Sequence, residues 1–321
     1  MTTEAHRNRR PRFGLTTALP RRGGQWRTFA QSVEAAGVDV LTFADHLAPA
    51  LAPFTGAAAA ALATESLRVG TLVLNNDFHH PVQIAREAAT LSEVSGDRFE
   101  LGLGAGHMKS EYDAAGLRFD RGAVRVDRLV ESVTVVRDLL AGKGIRFAGA
   151  HYRVHAEAGT LVPVPGSPVP LLIGGNGTRV LQLAGRVADI VGLAGISHNR
   201  DATEVRFTHF SSAGLAERIA VVRAAAGDRF EQIELNALIQ VVECTKDRAA
   251  TADALAGRLG VPADLLLDSP FVLLGTHEQM AETLLERQRR LGISYWTAFD
   301  EWAGRPSALP DLAAVIGLLR P

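Results

Sequence analysis

The stretch Pro170–Leu193, PLLIGGNGTRVLQLAGRVADIVGL, limits what this chain can fold into more than any other. Leu171–Ile173 reads as a short buried strand, and Gly174-Gly175-Asn176-Gly177 breaks it. Val180, Leu181, Leu183, Ala184 and Val187 then recur at helical spacing, and Ala188–Leu193 forms a second apolar strand. Strand, helix and strand with almost no linker make a βαβ unit, two parallel strands joined by a helical crossover. At the turn, glycines allow backbone N–H groups to approach an anion closely, and Asn176 or Thr178 can cap the helix. The helix N-terminus adds partial positive charge, and Arg179 can add a full one. Two readings fit these residues: a phosphate cradle, or a tight turn with a capped helix and no ligand. A glycine-rich turn alone does not choose between them.

The same alternation runs through the rest of the chain. Further strands are expected at Arg12–Thr16, Asp39–Ala44, Leu67–Leu74, Phe99–Gly104, Ile233–Val242 and Ile293–Phe299. Helices are expected at Gln25–Ala36, Phe54–Ala63, from Pro81 to Ser95, and at Val124–Leu140. Four more follow at Gly214–Ala226, Ala249–Leu259, Thr276–Leu291 and Leu309–Leu319. Eight strands alternating with helices in 321 residues predict a parallel α/β fold, a (β/α)8 TIM barrel with insertion segments at its C-terminal face. The competing open, doubly wound sheet lacks its dinucleotide fingerprint. No G-x-G-x-x-G follows the first strand, and Gly102–Gly106 lies after the fourth without the third glycine in register. Ile145–Val154 reads as a hairpin outside the alternation, and polar Gly195–Ser212 as a lid or insertion loop. Residues 12–321 are expected to form one domain. Residues 1–11, with four arginines in His6–Arg12 and no apolar leader core after them, are expected to be a disordered basic tail.

A net charge of −1 gives no general pull toward nucleic acid or a membrane surface, and no run of 18 apolar residues is present. The single cysteine, Cys244, rules out an intramolecular disulfide and suits a reducing cytoplasm; at the end of an apolar run it reads as a packing residue. In a barrel of this kind, polar side chains at the C-terminal strand ends carry function. Asp45 and His46 end the second strand, Asn75, Asn76 and Asp77 the third, His107 and Glu111 follow the fourth, and Asn176 and Arg179 the fifth. Any one of them could merely cap a helix or turn; the set converges on one end. His46 is the candidate for proton transfer, because an imidazole titrates near neutrality. No metal set is visible, since His79-His80 is adjacent rather than at i, i+4 spacing. Neither a Gly-x-Ser-x-Gly elbow nor a Walker loop occurs.

FADH (Phe43–His46), RFELGLGAGHMKSEY (Arg98–Tyr112) and GGNGTRVLQLAGRVAD (Gly174–Asp189), in that order, resemble the bacterial luciferase-like superfamily, and most closely its coenzyme F420-dependent oxidoreductase branch. The resemblance implies a barrel holding a flavin or deazaflavin, with the phosphate at Gly174, Gly175, Asn176, Gly177, Thr178 and Arg179. It assigns Asp45 and His46 to the deazaflavin and the substrate, and places Asn75 and Gly106 in the cofactor site. It also implies a bulge with a non-proline cis peptide at Leu72–Val73, supporting the back of the ring. Relatives that oxidise alcohols or sugars carry a glutamate after the Gly-x-Gly turn; here His107 occupies that place and becomes a second acid–base candidate, while Glu111 matches a residue that orders the loop. The expected function is hydride transfer between F420 and a small organic substrate, by a cytoplasmic homodimer. The alternatives are an FMN-dependent monooxygenase and a flavin-binding protein without turnover.

Overall fold

In the computed structural model, which describes residues 3–199, 204–301 and 304–320, the alternation resolves into eight parallel strands. These are β1 (Arg12–Thr17), β2 (Val40–Phe43), β3 (Arg68–Thr71), β4 (Phe99–Gly104), β5 (Leu171–Gly174), β6 (Ile190–Leu193), β7 (Glu234–Ile239) and β8 (Ile293–Phe299). Each pairs with its successor, and β8 pairs with β1, so the sheet closes into the expected (β/α)8 barrel. After Thr71 the chain passes through a cis Leu72–Val73 bond, and Leu74–Asn75 then resumes pairing with β4.

The helices are α1 (Glu4–Asn8), α2 (Gly24–Ala35), α3 (Pro53–Ala63), α4 (Pro81–Ser95), α5 (Lys109–Ala114) and α6 (Gly122–Leu140). They continue as α7 (Thr178–Val187), α8 (Ser212–Ala226), α9 (Arg248–Leu259), α10 (Ala263–Asp268), α11 (His277–Leu291) and α12 (Leu309–Leu319). Local signals set their ends. Pro81 opens α4 and Gly96 closes it at φ 64°. A capping box between Thr276 and Gln279 starts α11. Among the described residues no helix is long and apolar enough to cross a membrane.

Two apolar layers hold the barrel. The larger lies between strands and helices; a small inner one joins Val40, Leu172, Ile190 and Tyr295, with Leu72 and Val73 against them. Below the inner layer, at the strands' N-terminal ends, charge fills the barrel. Arg12 pairs with Glu100 and Glu234, Arg68 pairs with Glu100, and the Arg12 guanidinium lies 4.6 Å from the Tyr295 ring centroid. Ion pairs thus fill the N-terminal end of the barrel.

Three expectations change. The N-terminal segment is not a solvated tail from Glu4 onward, because α1 docks on the barrel; residues 1–2 lie outside the described residues. His6 is fully buried, its Nε2 bonds the Ile233 carbonyl at 2.9 Å, and Gln288 Nε2 donates to the Arg9 carbonyl at 2.7 Å. The polar stretch Gly195–Ser212, of which residues 200–203 lie outside the described ones, contains an antiparallel pair, Ile196–His198 with Val205–Phe207. Cys244 is exposed rather than packed, because the strand Val241–Cys244, paired with Val272–Gly275, ends at the surface.

Candidate active site

The end of β2 delivers Asp45 and His46 to the mouth. The buried Asp45 Oδ2 accepts from the Asn75 backbone N–H at 3.0 Å and from His79 Nε2 at 2.8 Å. It therefore ties the second strand end to the turn after the third. His46 Nδ1 donates to Glu111 Oε1 at 2.7 Å, and the exposed His107 ring meets His46 edge-on, 5.7 Å between centroids. The Glu111 hydrogen bond is the main cause that holds the His46 pKa above its ordinary value; burial opposes it, and the charges of Glu111 and Asp45 add to it. Glu111, read from the sequence as a loop-ordering residue, thus touches the proposed proton carrier itself. His79, read as part of a turn, was missed as Asp45's partner. No local pattern marks either pairing.

Behind these residues, Val73 fills the space that glycines leave on neighbouring strands. A Cβ on Gly104 would meet Val73 Cγ2 at 2.7 Å, and one on Gly174 would meet Val73 Cγ1 at 2.9 Å. Gly174 accordingly makes room for Val73. Gly106, at φ 75°, is held still more tightly: a Cβ there would come within 2.1 Å of Tyr112 Oη and 2.3 Å of Asn75 Oδ1. The Tyr112 hydroxyl lies 3.0 Å from Asn75 Oδ1 and 3.1 Å from Asp77 Oδ2, and burial pushes its pKa up. Arg128 pairs with Asp77 at 2.7 Å and with Asp120 at 2.5 Å. Arg128 sits inside the α6 periodicity, where sequence alone offers no reason to single it out.

At the cradle the structure corrects the expected capping. Neither Asn176 nor Thr178 caps α7; the N-cap is Gly177, and no side chain caps it. Asn176 Nδ2 donates to the Thr208 carbonyl at 3.0 Å, and Arg218 Nη1 donates to Thr178 Oγ1 at 3.3 Å. Arg179 turns outward to α6, donating to the Ala123 carbonyl at 3.3 Å and pairing with Asp127. Arg179 is the second residue of α7 and is engaged there by α6, while Arg218, from α8, reaches the same helix start. A Cβ on Gly175 would meet Val180 Cγ1 at 2.8 Å, whereas one on Gly177 meets nothing within 4 Å. The uncapped helix start therefore faces open space at Gly177, an arrangement suited to an anion.

Comparison with known proteins agrees with this architecture. The model of one protein family, described as luciferase-like monooxygenase, matches residues 12–295. An F420-dependent glucose-6-phosphate dehydrogenase of Nakamurella multipartita is 34% identical over 189 residues, 56% of this chain and 54% of that protein. An F420-dependent hydroxymycolic acid dehydrogenase of Mycobacterium tuberculosis is 30% identical over 58% of this chain and 52% of its own. The chain thus spans about half the length of the curated relatives it matches. Among solved structures, an F420-dependent secondary alcohol dehydrogenase in complex with an F420-acetone adduct superposes with a TM-score of 0.73 at 22% identity, covering 96% of this chain and 99% of that one.

Proposed function

We propose, from the premise that this chain belongs to the luciferase-like monooxygenase family, that it is an F420-dependent oxidoreductase acting on a small alcohol or its carbonyl counterpart. The observation that carries this reading is the His46–Glu111 pair, 2.7 Å apart at the barrel mouth beside Asp45. The names of the curated relatives support F420 as the cofactor. The residues present fit a phosphate-bearing deazaflavin. The uncapped start of α7 above Gly177, with Arg218 beside it, would take the phosphate. Asp45, Asn75, Leu72 and Val73 would border the ring.

When bound, F420 exchanges a hydride with the substrate carbon. The protein's part is the proton. In the oxidising direction His46 Nε2 takes the hydroxyl proton, and the Glu111 carboxylate at Nδ1 fixes the tautomer and stabilises the imidazolium. In the reducing direction the same imidazolium returns the proton. The raised His46 pKa holds the proton on the ring to higher pH than in a free imidazole, so reduction is favoured below it and oxidation gains as pH rises through it. Asp45 holds the β2 end against the turn that carries Asn75 and His79. His107, edge-on to His46, is the alternative acid.

Titrating the purified protein separately with F420 and FMN, followed by fluorescence, tests the assignment. Tight binding of F420 and hydride exchange with an alcohol or ketone is the expected result. Tight FMN binding with no response to F420 overturns it, and binding without exchange toward any donor or acceptor makes this a binding protein. We also read the chain as a homodimer in the reducing cytoplasm; Leu62 of α3 is 73% exposed and Val94 of the adjacent α4 47%, which suits a covered face.

A further inference from the structure

Away from the strand-end residues, folding gathers a second set of reactive side chains. Cys244 ends the strand Val241–Cys244, and its register partner is Gly275, two residues before His277 at the start of α11. Asp311 lies in the first turn of α12, which packs on α11. One potential ligand atom from each of Cys244, His277 and Asp311 lies within 4.8 Å of the others, and His277 Nε2 is 2.9 Å from Asp311 Oδ1. In sequence successive members of the set are 33 and 34 positions apart, so no spacing motif announces them.

We propose that Cys244, His277 and Asp311 form a binding site for a divalent transition-metal ion, with zinc as the ion the donors fit best. Thiolate, imidazole and carboxylate are the three side-chain ligand types of zinc, and together one thiolate and one carboxylate cancel its two positive charges. Bonds of about 2.0–2.3 Å place tetrahedral ligands roughly 3.5 Å apart, so the ligand atoms, now within 4.8 Å of one another, would draw together around the ion. The N-termini of α11 and α12 both lie at the cluster. Cys244 is exposed and His277 and Asp311 are partly so, which gives an ion a way in and leaves the fourth position to water. The neighbouring Glu243 pairs with Arg305 at 3.9 Å, so that cation is already balanced. The three ligands come from a strand and two helices, and the ion would clamp those elements together. This site is independent of the proposed hydride chemistry.

The test uses the whole protein, dialysed against a chelator and titrated with zinc by calorimetry and with cobalt(II) by absorbance. Expected are one equivalent of either ion per chain, a thiolate-to-cobalt charge-transfer band, and a melting temperature raised by zinc. Cys244→Ser should abolish the band and the thermal shift and weaken zinc binding at least about tenfold. His277→Gln and Asp311→Asn should each weaken binding by a similar factor while circular dichroism confirms the fold. Equal zinc affinity in wild type and Cys244→Ser overturns the proposal, as does cobalt binding without a thiolate band. Failure of the wild type to bind either ion overturns it as well.

Discussion

At the scale of single residues, the proposed proton transfer rests on His46 and its hydrogen bond to Glu111. If His46 relays the proton, His46→Asn should lower turnover by roughly 10²–10⁴-fold and leave F420 binding nearly unchanged. Steady-state kinetics beside His107→Asn separates the two histidines; the one whose loss collapses turnover with normal binding is the carrier. A sharper check uses pH. Because Glu111 raises the His46 pKa, the base needed for oxidation accumulates only above that raised value. Glu111→Gln should therefore move the ascending limb of the oxidation rate toward lower pH. A limb that stays in place would assign it to another group.

Elements explain why two neighbouring glycines should respond differently to the same substitution. Gly175 is backed by Val180 Cγ1, 2.8 Å from a built Cβ, whereas Gly177 faces open space at the start of α7. Gly177→Leu should lower F420 affinity well over tenfold, or about 1.4 kcal/mol, with the melting temperature of the free protein unchanged. Gly175→Leu should lower that melting temperature, because Val180 must move. Fluorescence titration and thermal melts of both variants check this, and equal affinity in Gly177→Leu would remove the phosphate from the helix start. The first element, α1, carries a pH dependence of its own. Burial depresses the His6 pKa below its ordinary value of 6.5, against the bond to Ile233. Its contribution to stability is complete above about 6.5 and is lost as pH falls through the lower folded value. Urea unfolding of wild type and His6→Gln should thus diverge at neutral pH and converge in acid.

For the molecule as a whole, the ion-pair plug beneath the inner apolar layer ties four strands together. Glu100 is 3% exposed and serves both Arg12 and Arg68. Glu100→Gln leaves those guanidinium groups short of charge in a partly buried site, and should cost roughly 3 kcal/mol, read as a lower denaturant midpoint. The mouth is at the other end of the strands, so F420 binding by the surviving folded protein should persist. On the proposed function, the stabilising ion pairs and the ligand chemistry would occupy opposite ends of one barrel.

The sequence by itself determined the parallel alternation, the βαβ unit at Leu171–Leu193, the glycine and proline stops, and the strand ends where polar residues gather. These are consequences of periodicities of two and 3.6 residues and of single-residue backbone preferences, which act over a few positions. It also named Asp45, His46 and the cis Leu72–Val73, the last through resemblance rather than local chemistry. Only the tertiary structure decided the partners. Glu111 reaches His46 across 65 residues, Arg179 leaves the glycine turn for Asp127, Arg218 comes to Thr178 from another helix, and α1 docks through His6. Cys244, His277 and Asp311 meet because a strand register and a helix pair bring them together. Such contacts depend on where the closed barrel places distant segments, and no short-range preference encodes them.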